Sequence, residues 1–258
     1  MPEDARFTSL ARAMERFPDS SEADLSRFAL ACDHRIDGER GVLHVFERHL
    51  AWRRSLAPAR AMYEDAWPEI EKAKFYERGR DRSGNRVFWW QTSNNDPKRR
   101  DLRIMIQCAL YWVLSLEPQL NAAKASGEPS EITVVVDRTH NVLDMPFVRA
   151  IVPILQDNFP GRLHQLIVVP AGPLFRFVWA IISPWLNAKT RERIRLLATC
   201  EDLRAYIDSD SIPTRMAGTD AWQYEPIRDT PVPVQVDWVG DAQHVHLEHE
   251  QITNPMSA

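Results

Sequence analysis

The chain has 258 residues, 44% hydrophobic and 26% charged, with a formal net charge of −4, the composition of a soluble globular protein with ample material for a core. The acidic balance argues against nucleic acid as a partner, because such binders carry a basic excess. Three widely spaced cysteines, Cys32, Cys108 and Cys200, predict reduced thiols rather than a disulfide frame, and no apolar run reaches the length of a membrane span.

The N-terminal MPEDARF lacks the basic and apolar segments of a secretory signal, and neither end carries a lipidation or retrieval signal. A cytoplasmic protein that meets membranes only at their periphery is therefore expected. Residues 7–73 read as helices, with Ser21-Glu22 and Asp37-Gly38 as starts, since short polar side chains accept the orphan N–H groups of a first turn. Leu25, Phe28, Ala29 and Cys32 form one apolar stripe, and Val42, Val45, Phe46 and Leu50 a second. KFYERGRDRSGNRVFWWQ (74–91) reads as two short strands around a turn in which Gly84 supplies a positive φ. A largely apolar helix follows over 101–116. Lys98, Arg99 and Arg100 are placed outside its first turn, where cations oppose the dipole, and are read as solvated or facing a membrane surface. Residues 122–129 read as a polar linker.

Ile132 to Val136 is a run of β-formers ending at Asp137. Residues 144–158 read as a helix with Phe147, Ile151, Ile154 and Leu155 inward, 163–169 as a buried strand, 194–199 as another strand and 203–207 as a further helix. This strand-then-helix rhythm predicts an α/β fold with parallel crossovers. From Glu225 the tail changes: Val232, Val234, Val236 and Trp238 alternate, and Val245 and Leu247 alternate again, which predicts a hairpin that Pro231 and Pro233 confine to an edge.

Between strands 163–169 and 194–199 lies the most unusual stretch. From Leu174 to Ile182 only Arg176 is polar, and Pro184 stops the helix. Such a helix is roughly 15 Å long, about half a bilayer core, and apolar on every side. Two readings are open: a helix wholly buried in the core, or one with a lipid inside and a membrane outside.

The residues around it resemble the CRAL-TRIO lipid-binding family, which includes phosphatidylinositol and α-tocopherol transfer proteins. The shared order is aromatic-Pro-x-Arg-Leu, strand, Pro-rich turn, apolar gate helix, Pro-aromatic-Leu and Thr-x-x-Lys/Arg-Ile. Here it runs Phe159-Pro160, Arg162-Leu163, Pro184-Trp185-Leu186, and Thr190 with Arg193-Ile194. His49-Leu50-Ala51-Trp52-Arg53 resembles a motif of the family's small helical domain, and Gly79, Asp81, Gly84 and Val87 its hairpin. Ile212-Pro213 and Gly218-Thr219 match its closing motif, with Ala217 in place of a glycine.

The resemblance implies a small helical lobe (1–73), a lipid-binding domain (74–222) with a mixed, mostly parallel sheet flanked by helices around a hydrophobic pocket, and an extension (223–258). It implies a headgroup site at Arg53 and Arg54, with Thr190 and Arg193. A guanidinium donates paired hydrogen bonds to phosphate, and a helix start favours an anion. It also implies that helix 174–183 is a gate bearing Phe175, Val178, Trp179 and Ile182, hinged by Pro170, Gly172, Pro173 and Pro184. The expected pocket lining is Phe88, Trp90, Leu110, Leu114, Val134, Val136, Ile167 and Val169. One departure from the phosphatidylinositol-binding pattern is Gly161, where that pattern has Glu.

His244, His246 and His249 could supply two metal ligands on one strand face, but zinc wants three or four in tetrahedral array, so a solvated tail is preferred and no metal is expected. Asp137, His140 and Asp144 lie where an α/β enzyme keeps catalytic groups. No Gly-x-Ser-x-Gly elbow, reactive-cysteine context or phosphate loop accompanies them, so no catalytic residues and no cofactor are expected. The reading is a non-enzymatic carrier of one lipid, a phospholipid favoured, exchanged transiently at membrane surfaces. The alternatives are a carrier of a tocopherol- or retinoid-like ligand, and a protein-interaction module of the same fold with a signalling protein as partner.

Overall fold

A computed structural model describes residues 3–140 and 142–232. Four helices open the chain: α1 (Glu3–Arg16), α2 (Glu22–Ala31), α3 (Val42–Ser55) and α4 (Ala59–Ile70). Ser21 caps α2 by accepting from the Asp24 amide. The start expected at Asp37-Gly38 lies later, with Gly41 as the cap of α3. Leu25, Phe28, Ala29 and Cys32 of the first predicted stripe pack on Val42 and Phe46 in a core of their own. Met62, Tyr63, Ala66 and Ile70 of α4 join the main core instead.

The sheet has five strands in the order β1-β2-β3-β4-β5: β1 (Phe75–Arg80), β2 (Arg86–Gln91), β3 (Ile132–Asp137), β4 (Leu163–Val169) and β5 (Ile194–Leu196). The β1–β2 pair is the predicted hairpin, antiparallel, and every later pairing is parallel. Between the parallel strands run α5 (Leu102–Ala125), α6 (Met145–Asn158), then α7 (Pro173–Ile182) with α8 (Ala188–Glu192). Right-handed crossovers in one direction along a parallel sheet place all of these on one face. Phe88 meets Trp112 of α5, and Trp90 meets Phe147 of α6, on that face. The opposite face is covered by the chain after β5: Tyr76 stacks on Tyr224, and Ile207 bridges to Asp81.

Four expectations change. Helix α5 continues to Ala125 through Pro118, absorbing the start of the expected linker; Asp101 caps it by accepting from the amides of Arg103 and Ile104. The last sheet strand is three residues, and 200–205 is a 3-10 turn capped by Thr199 rather than an α-helix. Arg100 is not solvated: it grips Asp144, the cap of α6, through two hydrogen bonds of 2.7 and 2.8 Å. Ala217 adopts φ +63, a left-handed conformation strained for any residue with a Cβ, which gives a physical reason for glycine in the family's closing motif. After β5 the chain adds α9 (Pro226–Asp229), and Val232 is buried in the main core. The expected tail hairpin and His244, His246 and His249 lie outside the described residues.

Candidate ligand-binding site

Helix α7 begins at Gly172, with Pro173 in the first helical position where a missing N–H costs nothing. It runs into a 3-10 turn at Ser183-Pro184-Trp185. Phe175 and Ile182 are buried and Val178 and Trp179 half-buried, the i, i+3, i+4, i+7 stripe of one helical face. The other face is open: Phe177 is 72% and Ile181 56% exposed. The wholly buried reading of this helix is therefore corrected. Its apolar residues divide between an inner and an outer surface.

Beneath α7, Phe175 packs on Val136 and Val168. Trp90, Val134, Leu166, Val178, Trp179 and Leu196 surround them, each only partly buried. Strand register explains the set. Trp90 pairs with Val136, Val136 with Val168 and Val168 with Leu196, all on one face, and Val134 pairs with Leu166 two residues earlier.

Of the predicted lining, Trp90, Val134 and Val136 stand here. Phe88 shares their face but stacks against Phe75 and Trp112. Leu110 and Leu114 are buried in the main core along α5. Ile167 and Val169 are corrected: they pair with Val135 and Asp137 and point to the opposite face, both fully buried. Leu166 and Val168 take their place. The run Leu166-Ile167-Val168-Val169 is apolar throughout, so its own pattern carries no phase.

Of the four expected headgroup residues, Arg53 and Arg193 each pair with a carboxylate of the chain. Arg53 pairs with the buried carboxylate of Glu117 on α5 and lies over the Phe159 ring. Arg54 is exposed. Arg193 donates to Glu131 at 2.7 Å and to the Leu163 carbonyl. The Thr190 amide donates to Asn187, which caps α8. Among the described residues no hydrogen bond or ion pair links Arg53 to Arg193.

Around Arg53 the structure assembles a cluster that the sequence did not announce. Arg27 pairs with Asp24 and stands 3.6 Å from Glu117, and Arg162 lies 3.6 Å from Asp24 and 3.8 Å from Glu117 while donating to Asn121. Three guanidiniums thus face two carboxylates between α2, α3, α5 and the start of β4. Burial raises the Asp24 carboxyl, but the charge and hydrogen bonds of Arg27, with the Arg162 charge, outweigh it and hold the group below its usual value. Burial lowers Arg162 to about 9 and Arg53 to about 10, so both stay protonated at neutral pH. Gly161 borders this cluster at φ +69, with the Arg27 side chain 3.7 Å from where a Cβ would stand. Backbone conformation thus favours glycine where the phosphatidylinositol-binding pattern has Glu.

The acidic residues weighed as catalytic are held by structural partners. Asp137 accepts from Arg215 at 3.0 Å and from the Thr139 hydroxyl at 2.7 Å, while Asp144 caps α6. His140 is exposed beside Thr139. Among the described residues no group of three or more His, Cys, Asp or Glu side chains is placed to hold a metal, and no helix is long and apolar enough to cross a membrane.

Residues 70–218 match the family model of the CRAL/TRIO domain. A CRAL-TRIO domain-containing protein of Caenorhabditis elegans, T23G5.2, is 24% identical over 218 residues, covering 77% of this chain and 30% of the relative. The phosphatidylinositol/phosphatidylcholine transfer protein SFH9 of Arabidopsis thaliana is 25% identical over 204 residues, covering 71% of this chain and 35% of the relative. The chain thus spans about a third of the length of these relatives. The crystal structure of Sfh5 superposes with a TM-score of 0.65 at 11% identity, covering 94% of this chain and 96% of that one. At that identity it shows the fold alone.

Proposed function

The chain belongs to the CRAL/TRIO family, and we propose from this and from the split surface of α7 that it carries one lipid between that helix and the sheet, releasing it at membrane surfaces. The family includes phosphatidylinositol/phosphatidylcholine transfer proteins, which supports a phospholipid cargo. The observation that carries the reading is the two-sidedness of α7. Phe175, Val178 and Trp179 pack on the sheet residues Trp90, Val134, Val136, Leu166 and Val168, while Phe177 and Ile181 are exposed. Burying an acyl chain is worth roughly 0.8 kcal/mol per CH₂, so a lipid site between α7 and the sheet competes with the bilayer itself and exchange needs a movable wall. Gly172 and the Ser183-Pro184-Trp185 turn bound that wall on either side. No covalent chemistry is required of the chain.

Headgroup recognition by Arg53, Arg54, Thr190 and Arg193 as a single site is not part of this proposal, because Arg53 and Arg193 are each engaged by a carboxylate of the chain. Native mass spectrometry of the purified protein, with lipid extraction from the same sample, tests the carrier. One bound phospholipid per chain is the expected result. A protein that stays empty after incubation with mixed liposomes would defeat it.

The outer surface of α7 gives a separate expectation. Phe177→Ser with Ile181→Ser removes two exposed apolar side chains of the kind worth roughly 1.5–3 kcal/mol each when fully buried. Vesicle association and lipid exchange should fall about tenfold or more, with thermal stability nearly unchanged, as for exposed positions generally. Exchange at the parent rate in a sedimentation or dequenching assay would count against membrane contact through this face.

A further inference from the structure

The two ends of α7 are held differently. Before it, the Ala171 amide donates to the Leu197 carbonyl at 2.6 Å, a backbone tie to the chain just past β5. After it, the 3-10 turn Ser183–Trp185 gives way to Leu186 in extended backbone, and Asn187 then caps α8. An extended joint between two helices has carbonyl and amide groups that neither helix satisfies. One side chain of α6 meets a group on either side of Leu186. Gln156 donates from Nε2 to the Trp185 carbonyl at 3.1 Å and accepts at Oε1 from the Asn187 amide at 2.7 Å. Its carboxamide thus grips the joint much as the N–H and C=O of one residue in a neighbouring parallel strand would. Further on, Lys189 of α8 reaches Asp33 past the end of α2 at 2.6 Å, both side chains more than half exposed, a pair of the kind that contributes little.

Resting on the carrier reading, we propose that Gln156 is the latch of α7, a positioning residue whose two hydrogen bonds hold the joint after that helix against α6 and so set the rate of lipid exchange. The packing of Phe175, Val178 and Trp179 on the sheet is apolar, and such burial is non-directional; hydrogen bonds fix a geometry. For α7 to swing outward on its Gly172 end, Trp185 to Asn187 must leave α6. Both bonds then break together, because one side chain makes both. Gln156 is half-buried, so water can take over the freed groups and opening costs only a modest factor. The side chain carries no charge, so salt does not screen its hold. Its partners are the backbone of the joint, not the inner face of α7, so it favours the closed form with or without cargo.

The test uses the full chain and pyrene-labelled phosphatidylcholine in phosphatidylcholine vesicles. Loading and release rates are followed by pyrene fluorescence, with the equilibrium partition of label between protein and vesicles and the melting temperature measured alongside. Gln156→Leu, similar in size but without donor or acceptor, should load and release about tenfold faster, the effect of two lost neutral hydrogen bonds. Its partition should stay at the wild-type value, because opening is eased for the loaded and the empty chain alike. Gln156→Glu keeps an acceptor for the Asn187 amide and loses the donor to Trp185, so its rates should fall between the two. Should Gln156→Leu not fold, Gln156→Glu decides by the same rates and partition. Rates at the wild-type value overturn the latch and leave the carrier standing. A weaker partition together with a lower melting temperature also overturns it, since Gln156 would then support the fold at large. If the wild type takes up no labelled lipid, the carrier reading falls, and this inference with it.

Discussion

Glu117→Gln is expected to destabilise the fold by about 3–5 kcal/mol, the cost of leaving a buried ion pair without its partner. The carboxylate is 5% exposed and has Arg53, Arg27 and Arg162 around it. An amide of the same shape leaves three guanidiniums facing Asp24 alone, in a site with little water to screen them. Most of the penalty is therefore repulsion and unmet desolvation rather than a lost attraction. Urea denaturation of the two proteins gives the difference directly. Arg53→Met added to Glu117→Gln should recover part of the loss, because it removes one of the uncompensated charges, and the four proteins of that cycle isolate the coupling. A loss below about 1 kcal/mol for the single change would mean that the cluster behaves like exposed ion pairs. The location gives the effect its significance: among the described residues, the ion pairs that join α2 and α3 to α5 and the start of β4 lie in this cluster, so it fastens the N-terminal helices to the sheet.

The strands were legible because β-branched runs at 132–136 and 163–169 sit between turn residues, and the helix 144–158 because its apolar spacing follows 3.6 residues. The order of these elements predicted the parallel crossovers. The inner stripe of α7 could have been read from the spacing 175, 178, 179 and 182 alone, but with apolar residues at 177, 180 and 181 as well, nothing in the segment marked which stripe faces inward. The same uniformity hid the phase of β4 and sent Ile167 and Val169 to the wrong face; only pairing with β3, whose Asp137 and Val136 differ in character, fixes it. Charge clusters were harder still. Arg27, Glu117 and Arg162 are distant in sequence, and each taken alone reads as a solvated residue, so burial of their charges becomes visible only once α2, α5 and β4 converge. The family pattern placed a helix at 174–183, where the structure has α7, while its headgroup residues carried over as positions without the partners that this chain supplies to them.

Acid should weaken the fold through His49 well before the carboxylates are protonated. The ring is 6% exposed, with Nδ1 3.1 Å from the Asn158 carbonyl oxygen and Nε2 accepting from the Arg53 Nε–H at 3.4 Å. That arrangement assigns the proton to Nδ1, and a second proton at Nε2 would confront a guanidinium. Burial first, then the Arg53 charge, lowers the group from 6.5 to about 4. Below pH 6.5 the unfolded chain therefore takes up a proton that the folded one refuses, so stability is complete above 6.5 and falls as pH drops toward 4, by about 3 kcal/mol in all. Asp24 acts in a separate window: its carboxyl is held below 3.8 when folded, so its contribution is present above that value and is lost only at lower pH. Urea midpoints measured from pH 7.5 to pH 4.5 should decline in the parent protein. In His49→Gln, which keeps a polar group near Asn158 but cannot titrate, the decline should be shallower by about one proton's slope. Parallel curves for the two proteins would show that His49 opens to water before unfolding, and the seam between α3 and α6 would then be looser than its hydrogen bonds imply.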